Sequence, residues 1–352
     1  LRSKFLILDI SHIDYELPEE LVAQTPIEPR DSARLLVDSP NGLHHRHVRD
    51  IVEYLQPGDV VVVNHTRVLP ARLKLKRRTG GAVEVLLLEE RDAEQMQWEA
   101  LVRPGGKLSV GEELLDGAGA VMLRIGERSQ AGDTFFVHFV AGSHDEVMRR
   151  IVEVGEIPLP PYITTALADQ NRYQTVFSHD QKSSAAPTAG LHFTPELLAR
   201  IREAGVDIRE VELVVGLDTF QPISAENPLD HVIHTESYRV PAETFDACVS
   251  ARERGGRVIA IGTTATRALE SAASFGELQG RTNLFITPGY EWKVVDLMLT
   301  NFHMPRTTLL LMVESLIGVK WREIYSEAIA MRYRMLSFGD AMLLYRGTNV
   351  SS

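Results

Sequence analysis

Between about Pro70 and Val140 the chain changes texture, and this change restricts its possible folds more than any other feature. Short runs of alternating apolar and polar residues follow one another at 82–88, 98–102, 121–125 and 134–139. Glycine-rich turns part them, at Gly80-Gly81, Pro104-Gly105-Gly106 and Gly117-Ala118-Gly119. Several short strands so closely spaced predict a small antiparallel barrel or sandwich. Outside that stretch helices and strands alternate: helix 195–205, strand 206–215, helix 242–254, strand 257–262, helix 265–271, strand 284–287, helices 308–317 and 321–335, strand 341–345. That order predicts an α/β sheet covered on both faces. The expected organisation is a β domain over 70–149 inserted into a larger domain made of 14–69 and 150–347. A chain of 352 residues, 44% of them hydrophobic, is long enough for two such cores.

Other segments fit this frame. A short helix is expected after Pro18, a strand at 35–37, a short helix at 50–55 and a buried β-branched strand at 60–63. Residues 157–163, with three prolines, predict a rigid extended connector. The opening 1–10 is expected to be an added start or an extra strand rather than a signal peptide, since no small-residue cleavage site follows. No apolar run approaches the roughly 20 residues that cross a bilayer. One cysteine, Cys248, excludes an internal disulfide and a cysteine-rich metal site. A cytoplasmic monomer is the expectation.

The net charge of −11 argues against a generic nucleic-acid coat, but the local balance differs. From Val60 to Val83 no acidic residue occurs, whereas Arg67, Arg72, Lys74, Lys76, Arg77 and Arg78 all fall inside. On a strand, Arg72, Lys74 and Lys76 share one face and Leu73 and Leu75 the other. Such a row suits a phosphate backbone; it equally suits an edge strand guarded by cations.

Three separated stretches carry groups for chemistry. Residues 183–194 are small and nearly uncharged, with Thr188, Gly190 and His192, and run into a helix marked by Thr194, Pro195, Glu196 and Gly205. Residues 259–270 read as strand, glycine, two threonines, helix, with Thr263 and Thr264 as expected caps, where open α/β sheets bind ligands. GxGxxG is absent. Arg267 and Glu270, three apart, are expected to pair on one helix face. A third polar, aromatic loop system, 288–296 and 300–305, holds Tyr290, Trp292, Asp296, Asn301 and His303; Tyr290 or Trp292 can stack on a base or pack inward. His44, His45 and His47 lie beside Arg46 and Arg49, which repel a cation, so a solvated strand is expected there. His231, His234 and Glu236 also admit a metal-ligand reading.

The motifs AAPTAGLHFTPELL (185–198), GTTATRALES (262–271), KVVDLMLTNFHMP (293–305) and YRMLSFGDAM (333–342) occur in this order. YELPEELVAQTP (15–26), EPRDSARLLV (28–37), NHTRVLPARL (64–73), PLPPYI (158–163) and RYQTVFS (172–178) support them. Through these the chain, from about Asp14 to Tyr345, resembles the S-adenosylmethionine:tRNA ribosyltransferase-isomerases. The resemblance implies an αβα-sandwich main domain with an inserted small antiparallel β-barrel. It implies transfer and isomerisation of the ribosyl group of S-adenosylmethionine, a co-substrate, onto a 7-aminomethyl-7-deazaguanine at the wobble position of tRNA. Epoxyqueuosine-tRNA, adenine and methionine result, and no metal is required.

Such chemistry needs a proton acceptor for the ribose 5′ carbon and help for departing adenine. The resemblance directs the expectation to His192 or His303 as proton carrier and to Thr188, Thr263 and Thr264 for the ribose or carboxylate. Arg267 is expected at the methionine carboxylate and Tyr290 at a base, with Gly190, Asp296 and Asn301 completing the site. Arg67, Arg72, Lys74 and Lys76 are the expected tRNA contacts. The chain departs from the family pattern at Val214, where histidine stands, at Asp218, where glycine stands, at Lys182-Ser183-Ser184, where the lead-in contains glycine, and at Ser237, where an aromatic follows His-x-Glu. These leave open a catalytically altered tRNA-binding paralogue. The histidine pair with Glu236 leaves open a metal-dependent hydrolase.

Overall fold

The computed structural model describes every residue except 1–8, 130, 131, 133, 216–222, 224, 226, 232, 234 and 348–352. The strands, in chain order, are β1 (Arg34–Ser39), β2 (Gly42–His47), β3 (Val60–Asn64), β4 (Thr66–Val68), β5 (Arg72–Arg77), β6 (Ala82–Asp92), β7 (Gln97–Arg103), β8 (Glu113–Leu115), β9 (Val121–Arg128), β10 (Phe135–Phe139), β11 (Asp180–Ser183), β12 (Asp207–Leu213), β13 (Glu236–Arg239), β14 (Val258–Ile261), β15 (Gln279–Thr282), β16 (Leu297–Asn301) and β17 (Ala341–Tyr345). The helices are α1 (His144–Val154), α2 (Pro195–Glu203), α3 (Ala242–Glu253), α4 (Gly262–Phe275), α5 (Thr308–Ile317) and α6 (Trp321–Ala330).

Nine strands form one mixed sheet in the order β15-β13-β12-β3-β14-β16-β17-β1-β2. Its centre is parallel: β12, β3, β14 and β16 run the same way. Strand alternation divides the core. Val61, Val63, Ile259 and Ile261 meet Phe193, Leu197 and Ile201 on one face, while Val60, Val62, Val258 and Ala260 meet Cys248, Ala265, Ala268 and Leu269 on the other. Further along that second face, Leu36, Met298 and Met342 cluster with Leu310, Trp321 and Tyr325 of α5 and α6. These three layers are the expected αβα sandwich.

β5 to β10 close into a six-stranded antiparallel barrel in the order β10-β7-β6-β5-β8-β9. Its inward residues, among them Leu73, Val85, Trp98, Leu123 and Val137, belong to the same apolar cluster as Val60, Val62 and α4. The barrel is therefore packed onto the sheet. α1 follows it, capped by the Ser143 side chain, which accepts from the Glu146 N–H. β5 has Leu73 and Leu75 inward and Lys74 and Lys76 outward, as the alternation requires. It is no edge strand, since β6 and β8 flank it.

Other expectations need correction. Residues 284–287 form no strand; β15 ends just before them. β8 and β16 are additional, so Thr300 and Asn301 end a buried strand instead of lying in a loop. α6 stops at Ala330 rather than near Met335. α4 begins at Gly262, directly after β14, with Ile261 as an N-cap residue that makes no side-chain cap bond, so Thr263 and Thr264 lie inside its first turn. His44, His45 and His47 sit on β2, the outer strand of the sheet. Residues 1–8 of the opening segment are outside the described residues. Among the described residues no helix is long and apolar enough to cross a membrane.

Candidate active site

The parallel strands β12, β3, β14 and β16 all end at one edge, and the functional side chains gather there. Gly262 turns the chain from β14 into α4 with φ of +88°, a left-handed value that a side chain disfavours. The turn points the first N–H groups of a 14-residue helix out at the strand ends, and the N-cap residue Ile261 has no side chain to cap them. Two adjoining cavities open there, with Val215, Thr263, Thr264 and Leu309 in the lining of both. The smaller also holds Thr188, Thr300, Asn301 and His303. The larger is lined by Arg267 and Glu236 and by Glu89, Arg91 and Glu99 of the barrel. The Thr264 hydroxyl is buried without a hydrogen-bond partner. A hydroxyl so placed can bond to a water or to a ligand atom.

Pro187 leads the 183–194 stretch into a tight turn over Thr188–His192. The Thr188 hydroxyl donates to Asn301 Oδ1 at 2.9 Å, and Asn301 Nδ2 donates to His192 Nε2 at 3.1 Å. This chain ties both ends of the Thr188–His192 turn to Asn301 at the end of β16 and leaves the His192 proton on Nδ1. His192 itself lies behind Asn301, buried; burial, then Arg334, Arg172 and Arg30, pushes its pKa down to about 4. His303 faces the cavity, with Nε2 3.0 Å from Thr300 Oγ1. Its N–H donates to the Tyr325 hydroxyl at 2.9 Å, and its carbonyl accepts from Tyr15 at 2.5 Å. Burial lowers its pKa to about 3. Both imidazoles are thus neutral at pH 7.

The remaining expected residues divide between cleft and frame. Arg267 does not pair with Glu270; its Nη1 lies 2.5 Å from Glu236 Oε2 across the cleft wall. Glu270 points the other way and accepts the N–H groups of Lys293, Val294 and Val295 and the Tyr290 hydroxyl, at 2.9–3.0 Å. Tyr290 also meets Ser274 and packs edge-on against Trp292, so it supports the loop and is not among the cavity-lining residues. Gly190 is a close-packing position, since a Cβ there would lie 2.7 Å from Phe177 and 2.9 Å from Thr175. Asp296 precedes β16, roughly 17 Å of extended chain from Asn301, and holds Arg346 and the Val258 N–H.

Of the basic row, Lys74 is paired with Glu156 at 2.7 Å, Lys76 is exposed, and Arg72 and Arg67 are half-buried. Ser237 donates to Glu89 of the barrel, which Arg281 of β15 also grips. Val214 lines the larger cavity. Asp218 and His234 lie outside the described residues. His231 packs edge-on against Phe285. A different trio, His65, His179 and Glu210, brings its donor atoms together elsewhere. Its two imidazoles stack at 4.2 Å with planes 8° apart. Lone pairs in parallel planes do not meet at one ion about 2 Å from each, so that trio in this arrangement is not a ligand set.

Sequence reasoning missed Glu236 as the partner of Arg267 and Glu270 as the anchor of the 290–295 loop. Each contact spans 20 residues or more, and no local pattern reports it.

A family model described as queuosine biosynthesis protein matches residues 10–344. An S-adenosylmethionine:tRNA ribosyltransferase-isomerase of Pelotomaculum thermopropionicum is 47% identical, over 96% of this chain and all of that one. One from Thermotoga maritima is 45% identical over the same shares. The crystal structure of S-adenosylmethionine tRNA ribosyltransferase from Thermotoga maritima is similar with a TM-score of 0.53 at 38% identity, covering 95% of this chain and 99% of that one.

Proposed function

The chain belongs to the queuosine biosynthesis protein family, and on that premise we propose that it acts as an S-adenosylmethionine:tRNA ribosyltransferase-isomerase in the cleft at the start of α4. The acceptor is the aminomethyl group of a 7-aminomethyl-7-deazaguanine at the tRNA wobble position, and the products are epoxyqueuosine-tRNA, adenine and methionine. The protein's division of labour follows the segments 14–69 with 150–347 as catalytic domain and 70–149 as barrel domain. We place it in the cytoplasm, as a monomer.

One observation carries the choice of site: the buried, unpartnered Thr264 hydroxyl in the first turn of α4, in the wall that two cavities share. Bound there, S-adenosylmethionine supplies a sulfonium that acidifies its own ribose 5′ position. The residues of this chain do the rest. Thr264, Thr263 and the first N–H groups of α4 hold ribose hydroxyls, and the positive helix end favours negative charge. Thr188 orients on Asn301, and His192 fixes the Asn301 amide from behind. His303 carries the proton, because it is the imidazole that faces the cavity. Arg267 takes the methionine carboxylate. Tyr290, Gly190 and Asp296 hold the frame. No step uses a metal.

The decisive experiment is adenine release from labelled S-adenosylmethionine. Release is expected with tRNA bearing the aminomethyl base and not without tRNA; none in either mixture defeats the reading and leaves a binding paralogue. The Arg72, Lys74 and Lys76 face, with Arg67 beside it, is the proposed tRNA contact. Replacing Arg72, Lys74 and Lys76 by glutamine is expected to weaken tRNA binding about tenfold at low salt, with cofactor binding spared. Because Glu156 already offsets Lys74, the salt slope should fall by about two rather than three. Equal tRNA affinity removes this face from the proposal.

A further inference from the structure

We infer that Glu236 and Arg267 act together as a reader of the zwitterionic amino-acid tail of the co-substrate, the guanidinium taking its carboxylate and Glu236 its α-ammonium group. This rests on the function proposed above and adds to it a second recognition residue and a substrate specificity. Glu236 opens β13 and Arg267 sits in the second turn of α4, and the two line the larger cavity side by side. Their side chains are each only 9% exposed. Arg267 follows Thr264 by three residues, so both lie on one face of α4. The helix thus presents a hydroxyl and then a cation along the cleft, with the anion of Glu236 beside the cation.

A buried ion pair adds little stability compared with apolar side chains of the same size. At a cavity wall, however, it presents opposite charges side by side. A ligand with one charge meets attraction from one partner and repulsion from the other. A ligand carrying carboxylate and ammonium on one carbon meets attraction from both. Arg267 also donates to the Thr282 carbonyl. A guanidinium has five donors and a carboxylate two oxygens with two lone pairs each, so both can take a ligand atom beside the partners they already hold. Among the described residues the barrel wall carries Glu89, Glu99 and Arg91, and Arg281 of β15, outside the cavity lining, offsets the excess anion by binding Glu89. Arg91 lies with Glu89 and Glu99. Selection for the tail therefore falls to Glu236 and Arg267.

The test is calorimetric binding to the whole chain, with tRNA carrying guanine at the wobble position so that no turnover occurs. Three ligands are compared: S-adenosylmethionine, its deaminated analogue and its decarboxylated analogue. The wild-type chain is expected to bind each analogue roughly 10- to 100-fold more weakly than the parent. Glu236→Gln should bind the parent and the deaminated analogue within about threefold of each other, while still rejecting the decarboxylated one. The double variant Glu236→Gln/Arg267→Gln, which leaves no buried charge behind, should bind all three alike. If the variants do not fold, the wild-type comparison decides alone. Equal wild-type affinity for parent and analogues overturns the inference while leaving the proposed function standing. Failure of the wild-type chain to bind S-adenosylmethionine at all defeats both.

Discussion

His303→Gln is expected to lower turnover at saturating S-adenosylmethionine by about 10²- to 10⁴-fold, the usual worth of a positioned proton carrier. His192→Gln should cost only about tenfold, because His192 reaches the cleft through Asn301 and Thr188 instead of facing it. Near-full turnover in both variants would remove the imidazoles from the chemistry. A larger loss in His192→Gln than in His303→Gln would reverse the assignment. The same variant has a signature in stability. Both imidazoles titrate below the ordinary 6.5, His303 at about 3 and His192 at about 4. The unfolded chain takes up these protons below pH 6.5 and the folded chain does not. Their contribution is therefore present in full above pH 6.5 and is lost as the pH falls toward 4 and 3. Denaturation of wild type and His303→Gln at pH 7 and pH 4.5 should show the wild-type chain losing more.

The second large effect is on stability. Glu270 is wholly buried, and its carboxylate is the acceptor for three backbone N–H groups and the Tyr290 hydroxyl. Glu270→Ala takes this acceptor from the three N–H groups, at about 1–3 kcal/mol for each that stays buried, while the Tyr290 hydroxyl keeps Ser274. A loss of roughly 3–5 kcal/mol in urea denaturation is expected. Glu270→Gln keeps one oxygen for Val294 and Val295 and should recover part of it. The loop so held leads into β16, whose far end carries Thr300 and Asn301. KM for the cofactor should therefore rise along with the instability. A loss below about 1 kcal/mol would mean that other contacts secure the loop.

Much of this molecule is written locally. The change of period near Pro70 announced strands of the barrel, and the Val60-Val61-Val62-Val63 run announced a strand buried on both faces. α2 carried its own boundaries, with the Thr194 side chain accepting from Leu197 and Gly205 at φ of +76°. The alternation in β5 gave its inward and outward sides. All of these depend on periodicity and turn chemistry between near neighbours.

The site was legible only in part, and for a physical reason. Composition marked 183–194 and 259–270 as places where backbone and hydroxyls can meet a ligand, and the sheet brings Thr188, Thr263 and His303 to one edge. Which charged groups face the cleft is another matter. Arg267 and Glu270 lie three apart on α4 and suggested a pair, yet Glu236, 31 residues away, takes the one and the 290–295 loop the other. Asp296 and Asn301 belong to one motif, yet an extended strand carries them to opposite ends of the sheet. Local sequence determined the elements and the chemistry they carry. Tertiary packing decided the partners, because a charge leaving water is neutralised by whichever group the fold brings within reach.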